Sequence, residues 1–243
     1  MVAKGLNSIK YMSAKLADEL SPLYQKHYDH FMDLLSDLDQ QTSMDTRQLD
    51  ILIKLDFFSE FGNQRELLRI TEFFYGMFKC GNAKQIRKSV VDGTQLECVV
   101  RQFAVGVTKS GGEAKSYTLV DVWSIMRRVE DIVKASGMSD LSDIIKVQNF
   151  KDIMGYAGYV SGKPEDRRKL YVTDVKPLVR RSDGKQFGYS VFTKSIGTGK
   201  EGRFTVVNSV FNRDPIYKEN IIYCKEFERQ NGYFRLLNYE KVV

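Results

Sequence analysis

The sequence predicts an α+β chain: a helical N-terminal region followed by a C-terminal, five-stranded β-barrel. Three observations carry this prediction. Apolar residues recur at three- and four-residue spacing from Leu6 to about Phe78, the period of a helix face. After Arg168 the pattern changes to short β-rich runs separated by Gly, Asp and Asn. The excess of positive charge falls entirely in that last part.

The helical period is read from Leu6, Ile9, Leu16 and Leu20, then Phe31, Leu34, Leu35 and Leu38, then Leu49, Leu52 and Ile53, then Leu67, Leu68, Ile70, Phe73 and Phe74. Ser21-Pro22, Gln41-Thr42-Ser43 and Phe61-Gly62-Asn63 supply turn or capping residues between these runs, so short helices joined by short turns are expected. Between Gly81 and Ser116 the expectation is a strand pair around Leu96 to Val107 and a turn at Ser110-Gly111-Gly112. Asp121 to Ser136 and Leu141 to Tyr159 read as helices, the second ended by Ser161-Gly162-Lys163-Pro164. The barrel strands are Leu170 to Val175, Gly188 to Lys194, Arg203 to Val210, Ile221 to Phe227 and Tyr233 to Tyr239. Ser182-Asp183-Gly184, Gly197 to Gly202 and Gln230-Asn231-Gly232 are hairpin connections. The domain division is thus 1–80 helical, 81–164 a mixed connecting region with helices, and 165–243 barrel.

With 243 residues, 42% of them apolar, the chain can bury a sizeable core. Residues 1–164 carry 21 basic and 21 acidic side chains, whereas 165–243 carry 16 and 10, so the whole net charge of +6 lies in the barrel and a polyanion is sought there first. Cys80, Cys98 and Cys224 are an odd number with no C-x-x-C pair, which argues against a disulfide framework or zinc knuckle. No signal-peptide pattern and no long apolar run is found, so a soluble, cytoplasmic chain without membrane contact is expected.

Arg47 to Leu68 reads RQLDILIKLDFFSEFGNQRELL. This resembles a helix-turn segment of the alpha subunit of bacterial DNA polymerase III, R-x-L-E-x-L-I-K-x-G-A-F-D-x-x-G-x-R-x-x-L. Gly5-Leu6-Asn7-Ser8-Ile9-Lys10 is similar to that family's G-L-x-x-I-K helix-hairpin-helix start, and Gly158-Tyr159-Val160-Ser161-Gly162-Lys163-Pro164 to its Y-x-S-G-H-P element before an OB-fold. The chain departs from the pattern where Tyr11-Met12-Ser13 replaces G-V-G, where Asp56 stands for a Gly and where Lys163 stands for a His. Side chains in place of the hairpin glycines obstruct close approach to a phosphate, which weakens the case for duplex binding there. The resemblance implies a helix-hairpin-helix-like helical domain at 1–80, an OB-like barrel and a role in bacterial or phage DNA replication. Single-stranded DNA and primer–template are the implied partners, with a polymerase core or other replisome protein as a further one. Residues 81–151 carry no such likeness.

Two-metal phosphoryl transfer needs closely placed carboxylates. The acidic residues here are scattered beside Lys and Arg, so neither catalysis nor a cofactor is expected of this chain. Two further readings compete with DNA binding: an accessory module docking on a polymerase, and the C-terminal part of a DNA-directed DNA polymerase whose catalytic domains lie elsewhere. No Q-x-x-[LM]-x-F clamp-binding peptide is found.

The barrel carries Arg180, Arg181, Lys185, Tyr189, Phe192, Lys194, Lys200, Arg203 and Phe204, a mixture of cations and rings suited to holding phosphates while bases stack. The competing reading makes Tyr189, Phe192 and Phe204 core and the cations ordinary surface. In the helical part, Gly62, Asn63, Gln64 and Arg65 open a helix whose N–H groups could hold a phosphate, with Lys10 and Lys15 beside the first hairpin. Gly197-Thr198-Gly199-Lys200-Glu201-Gly202 matches G-x-G-x-x-G, but strands on both sides make it a hairpin rather than a dinucleotide loop. His27 and His30 have Asp29 and Asp33 available as further ligands but read as exposed surface rather than a metal site, and the aromatic runs Phe57 to Phe61 and Phe73 to Phe78 read as core.

Overall fold

The structure, a computed structural model, describes residues 6, 9–78, 85–94, 96–107, 111–230 and 232–242. Gly5, Asn7, Ser8, Cys80, Gly81, Ser110 and Asn231 lie outside the described residues. The chain is α+β and divides into two compact units, 1–142 and 143–243. Among the described residues no helix is long and apolar enough to cross a membrane.

The first unit begins with helices α1 (Ala14–Tyr24), α2 (Phe31–Gln41), α3 (Thr46–Lys54) and α4 (Gln64–Phe73), the last continued by a π-turn over Phe74–Phe78. Side chains start them: Ser13 accepts from Leu16 N–H, and Asp45 with Gln48 and Asn63 with Glu66 form reciprocal capping boxes. The break expected at Ser21-Pro22 falls later, because Pro22 lies inside α1. It removes one N–H from the final turns, and the helix ends two residues on. Phe31, Met32, Leu35, Leu49, Leu52, Ile53, Leu67, Ile70 and Phe74 form the core of these helices. Phe58 and Phe61 lie against Phe31 with ring centroids 5.5 Å away, as core aromatics do, while Phe57 is exposed.

The chain then forms β1 (Gln85–Arg87), α5 (Lys88–Val91), α6 (Glu97–Gln102), β2 (Ala104–Val107), β3 (Glu113–Leu119) and α7 (Val122–Ala135). The strands make a three-stranded antiparallel sheet of order β1-β3-β2. The strand pair expected over Leu96 to Val107 is therefore half wrong: α6 occupies most of its first part. A helical turn puts Leu96 and Val100 on one buried face, and that burial overrides the strand propensity of Val99-Val100. Asp121 caps α7 as its composition predicts.

Helix α8 (Asp143–Met154) opens the second unit. It stops short of the expected Tyr159, because Gly155, at φ 79°, supplies the left-handed residue that ends a helix. A 3-10 turn over Pro164–Arg168 leads into β4 (Lys169–Val179), β5 (Gln186–Ser195), β6 (Glu201–Val207), α9 (Asn208–Phe211), β7 (Ile221–Gln230) and β8 (Tyr233–Val242). The five strands close into a barrel of order β4-β5-β6-β8-β7, with β4 against β7. Every neighbour pair is antiparallel except β6 with β8. Numbered within the barrel, this is the 1-2-3-5-4 order of an OB-like fold. The third strand is shorter than expected, since 208–211 turn into α9 and bring Phe211 onto the Tyr189 ring at 3.7 Å.

Val172, Val191, Val206, Ile222 and Leu236 fill the barrel. A second cluster joins Val147 of α8 and Tyr159 to Tyr171, Ile196 and Ile221, so α8 and the segment after it pack on the barrel's own strands and hairpin. Lys169 reinforces that packing with contacts of 2.6 Å to Asp143 and 2.8 Å to Asp166. The boundary of this unit accordingly falls at 142/143 rather than at 164/165.

Candidate nucleic-acid interface

Strands β4, β6 and β8 run one way through the barrel wall and β5 and β7 the other. The β4–β5 hairpin is thus at one end, and the β5–β6 and β7–β8 hairpins are at the opposite end. Arg180, Arg181 and Lys185 are exposed at the first end; Lys200 is exposed at the second. Between them runs the outer face of β5, about 30 Å long at the usual rise of a strand. The cations named from the sequence therefore bracket a face rather than form one cluster.

Strand alternation decides which rings reach that face. Tyr189 and Phe204 are half-buried and pack against the barrel core, so for these two the core reading is the right one. Their inward direction follows from neighbouring Val191 and Val206, which are fully buried. Phe192 points the other way. Its ring has the Lys176 ammonium 5.4 Å and the Arg203 guanidinium carbon 5.4 Å from its centroid, one cation from each adjoining strand. Arg203 Nε donates to the Ser190 hydroxyl, and Lys176 lies 3.1 Å from the Asp174 carboxylate. The hydrogen bond from Lys176 holds the Asp174 carboxyl below its ordinary pKa, so it is an anion amid the cations. Lys194 is partly buried and stands 5.9 Å from the ring of Tyr156.

The Gly197 to Gly202 segment is a β5–β6 hairpin with a fastened base. Gly197 N–H donates to Asp166 O, Ser161 N–H donates to Ile196 O, and the Ser195 hydroxyl donates to Arg167 O. A Cβ at Gly197 would come within 2.5 Å of Arg167 N, which explains the glycine there.

Sequence reasoning missed Lys176 and Ser190, whose place opposite each other on β4 and β5 appears only once the register is known. It also missed Phe227, Tyr233 and Phe234 on the β7–β8 hairpin. Phe227 and Phe234 pack beside Phe204 at 6.0 Å each, and Tyr233 is 65% exposed. A signal was present: of two consecutive aromatics just after a turn, a strand's period of two sends one outward.

The phosphate site expected at Gly62, Asn63, Gln64 and Arg65 is already filled by the protein. Gln64 N–H donates to the Asp140 carboxylate, Asn63 N–H to Glu66, and Glu66 N–H to the Asn63 side chain. Gln64 is buried, its amide nitrogen donating to Lys54 O and to Asp56. An internal carboxylate holds this helix start in place of an external anion. Arg65 stays exposed, as do Lys10 and Lys15, the last 3.6 Å from Glu19.

The backbone around these residues carries a second finding. Tyr11 and Asp56 have φ of 70° and 62°, in the left-handed region that favours glycine. The Arg47 guanidinium lies over the Tyr11 ring at 3.7 Å, and Gln48 donates to Tyr11 O. Among the described residues no three of His, Cys, Asp or Glu come together as a metal-ligand group, His27 and His30 included. Comparison of the chain with protein-family models, with curated proteins and with solved structures gives no match.

Proposed function

We propose that this chain is a non-catalytic DNA-binding module, similar to the region behind the fingers of bacterial DNA polymerase III alpha subunits, in which the barrel holds single-stranded template. The observation that carries the reading is Phe192, set on the outer face of the second barrel strand between Lys176 and Arg203. Second- and third-strand faces of OB-like barrels are where oligonucleotides lie. The Phe192 ring is partly exposed, and a ring so placed can stack a base while flanking cations hold its phosphates, whatever the base. The bracketing hairpins, with Arg180, Arg181 and Lys185 at one end and Lys200 and Tyr233 at the other, extend the same track.

The likeness in the helical unit is supported by a backbone requirement. Tyr11 and Asp56 stand where the polymerase pattern has glycines, and both keep the left-handed conformation a glycine serves. We read this part as helix-hairpin-helix-like, with Lys10, Lys15, Arg47 and Arg65 left to approach duplex, since the start of α4 is closed by Asp140.

Fluorescence anisotropy with a labelled single strand and with a primer–template, each at two salt concentrations, tests the proposal. The expected outcome is salt-sensitive binding of the single strand. Replacing Arg180, Arg181 and Arg203 together with Ala should weaken it and reduce the log–log salt slope by roughly 2, three phosphate contacts at about 0.7 each. Unchanged affinity in that variant removes the barrel face from the proposal. Absence of binding to either ligand at low salt favours docking on a replisome protein instead. That second reading has its own observation: Val120, 73% exposed, and Trp123, the single tryptophan, stand uncovered at the start of α7.

A further inference from the structure

Ser190 is 2% exposed although it lies on the outer face of β5, where its strand neighbour Phe192 is only partly buried. It is covered from both adjoining strands, being paired with Lys176 on β4 and Thr205 on β6. Its hydroxyl accepts from Arg203 Nε. The guanidinium so held stands over the Phe192 ring. A serine contributes little packing at a strand position, and a buried hydroxyl is retained at a cost unless it is hydrogen-bonded. Among the described residues, the hydrogen bond that satisfies it comes from the arginine that flanks the Phe192 ring.

We infer that Ser190 is a positioning residue that holds the Arg203 guanidinium over Phe192, so that ring and cation form a preset platform for one nucleotide of a single strand. The inference rests on the single-strand reading above. An arginine fixed through Nε keeps its two terminal nitrogens directed outward, where they bond a phosphate without first losing the freedom of a long side chain. Asp174 does the corresponding work for Lys176, but as an anion it also repels phosphate. The two supports therefore differ in what their removal does: loss of Ser190 weakens binding, and loss of the Asp174 charge strengthens it.

The experiment compares the unaltered chain with Ser190→Ala, Ser190→Thr and Arg203→Ala, using a labelled oligo(dT) single strand at several salt concentrations and the Arg203 Nε–H resonance of the free, 15N-labelled chain. Ser190→Ala should lower affinity roughly three- to tenfold, the range set by leaving one long side chain to be ordered on binding. It should leave the salt slope unchanged, because the cation remains, and it should lose the protected Nε–H resonance. Ser190→Thr should restore both, while Arg203→Ala should lower affinity and flatten the slope. Equal binding by the unaltered chain and Ser190→Ala, with Arg203→Ala impaired, overturns the inference and spares the single-strand reading. No binding by the unaltered chain overturns both.

Discussion

Tyr11 shows how a single residue can oppose its own backbone. A tyrosine in the left-handed region carries a steric penalty that glycine does not, offset here by the Arg47 guanidinium on its ring and by the bond from Gln48 to its carbonyl. Tyr11→Gly should leave stability within about 1 kcal/mol of the parent, whereas Tyr11→Val, a β-branched residue in the same conformation, should lose about 1–2 kcal/mol, as urea denaturation will show. Asp166 sets a pH limit. Burial opposes its ionisation, but hydrogen bonds from Lys169 and Ser161 outweigh that and hold its carboxyl below the ordinary value of 3.8. A depressed folded pKa gives stability that is complete above the unfolded value and is lost as pH falls through the folded one. The second unit should therefore keep this contribution down to about pH 4 and lose it in more acid solution. Asp166→Asn should lower stability at pH 7 by about 1–3 kcal/mol and flatten the acid limb of the stability–pH curve.

At the scale of elements, the start of α2 depends on a residue far away in sequence. Glu130 of α7 is wholly buried, accepts from Phe31 N–H at 3.0 Å and Met32 N–H at 2.8 Å, and pairs with Lys134 at 2.7 Å. The carboxylate supplies what His30, the residue before the helix, does not, since His30 makes no capping hydrogen bond. Glu130→Ala should lower the stability of the first unit by about 3 kcal/mol or more in urea denaturation, because it leaves buried N–H groups unpaired. Glu130→Gln, which keeps one acceptor oxygen, should be milder. Nothing in the local sequence of α2 announces this dependence: a capping box is written within four residues, as at Asp45 and Asn63, and a tertiary cap is not. The same limit explains the closed phosphate site, whose occupant Asp140 lies 76 residues from Gln64.

For the whole molecule, the charge division and the physical division do not coincide. The positive excess begins near residue 165, but α8 and Tyr159 belong to the barrel's packing through Tyr171, Ile196 and Ile221. A fragment of residues 143–243 should fold by itself and keep the single-strand affinity of the full chain. One beginning at 165 exposes that apolar cluster and breaks the Lys169–Asp143 contact, so it should melt at lower temperature or aggregate. Circular dichroism melting of the two fragments, followed by anisotropy, separates these outcomes.

The sequence by itself determined the α+β class, the four N-terminal helices, α7 and α8, the five barrel strands, most turns and the placement of charge, because periodicity, capping residues and turn glycines act over a few neighbours. It named Phe192 and Arg203 but left them level with Tyr189 and Phe204, since a list of rings and cations contains no strand register. Only the tertiary structure decided which rings face outward, that Lys176 and Ser190 stand beside Phe192 and Arg203, and that Asp140 closes the start of α4. Those facts depend on pairing across strands and helices, where one residue of register moves a side chain from core to surface.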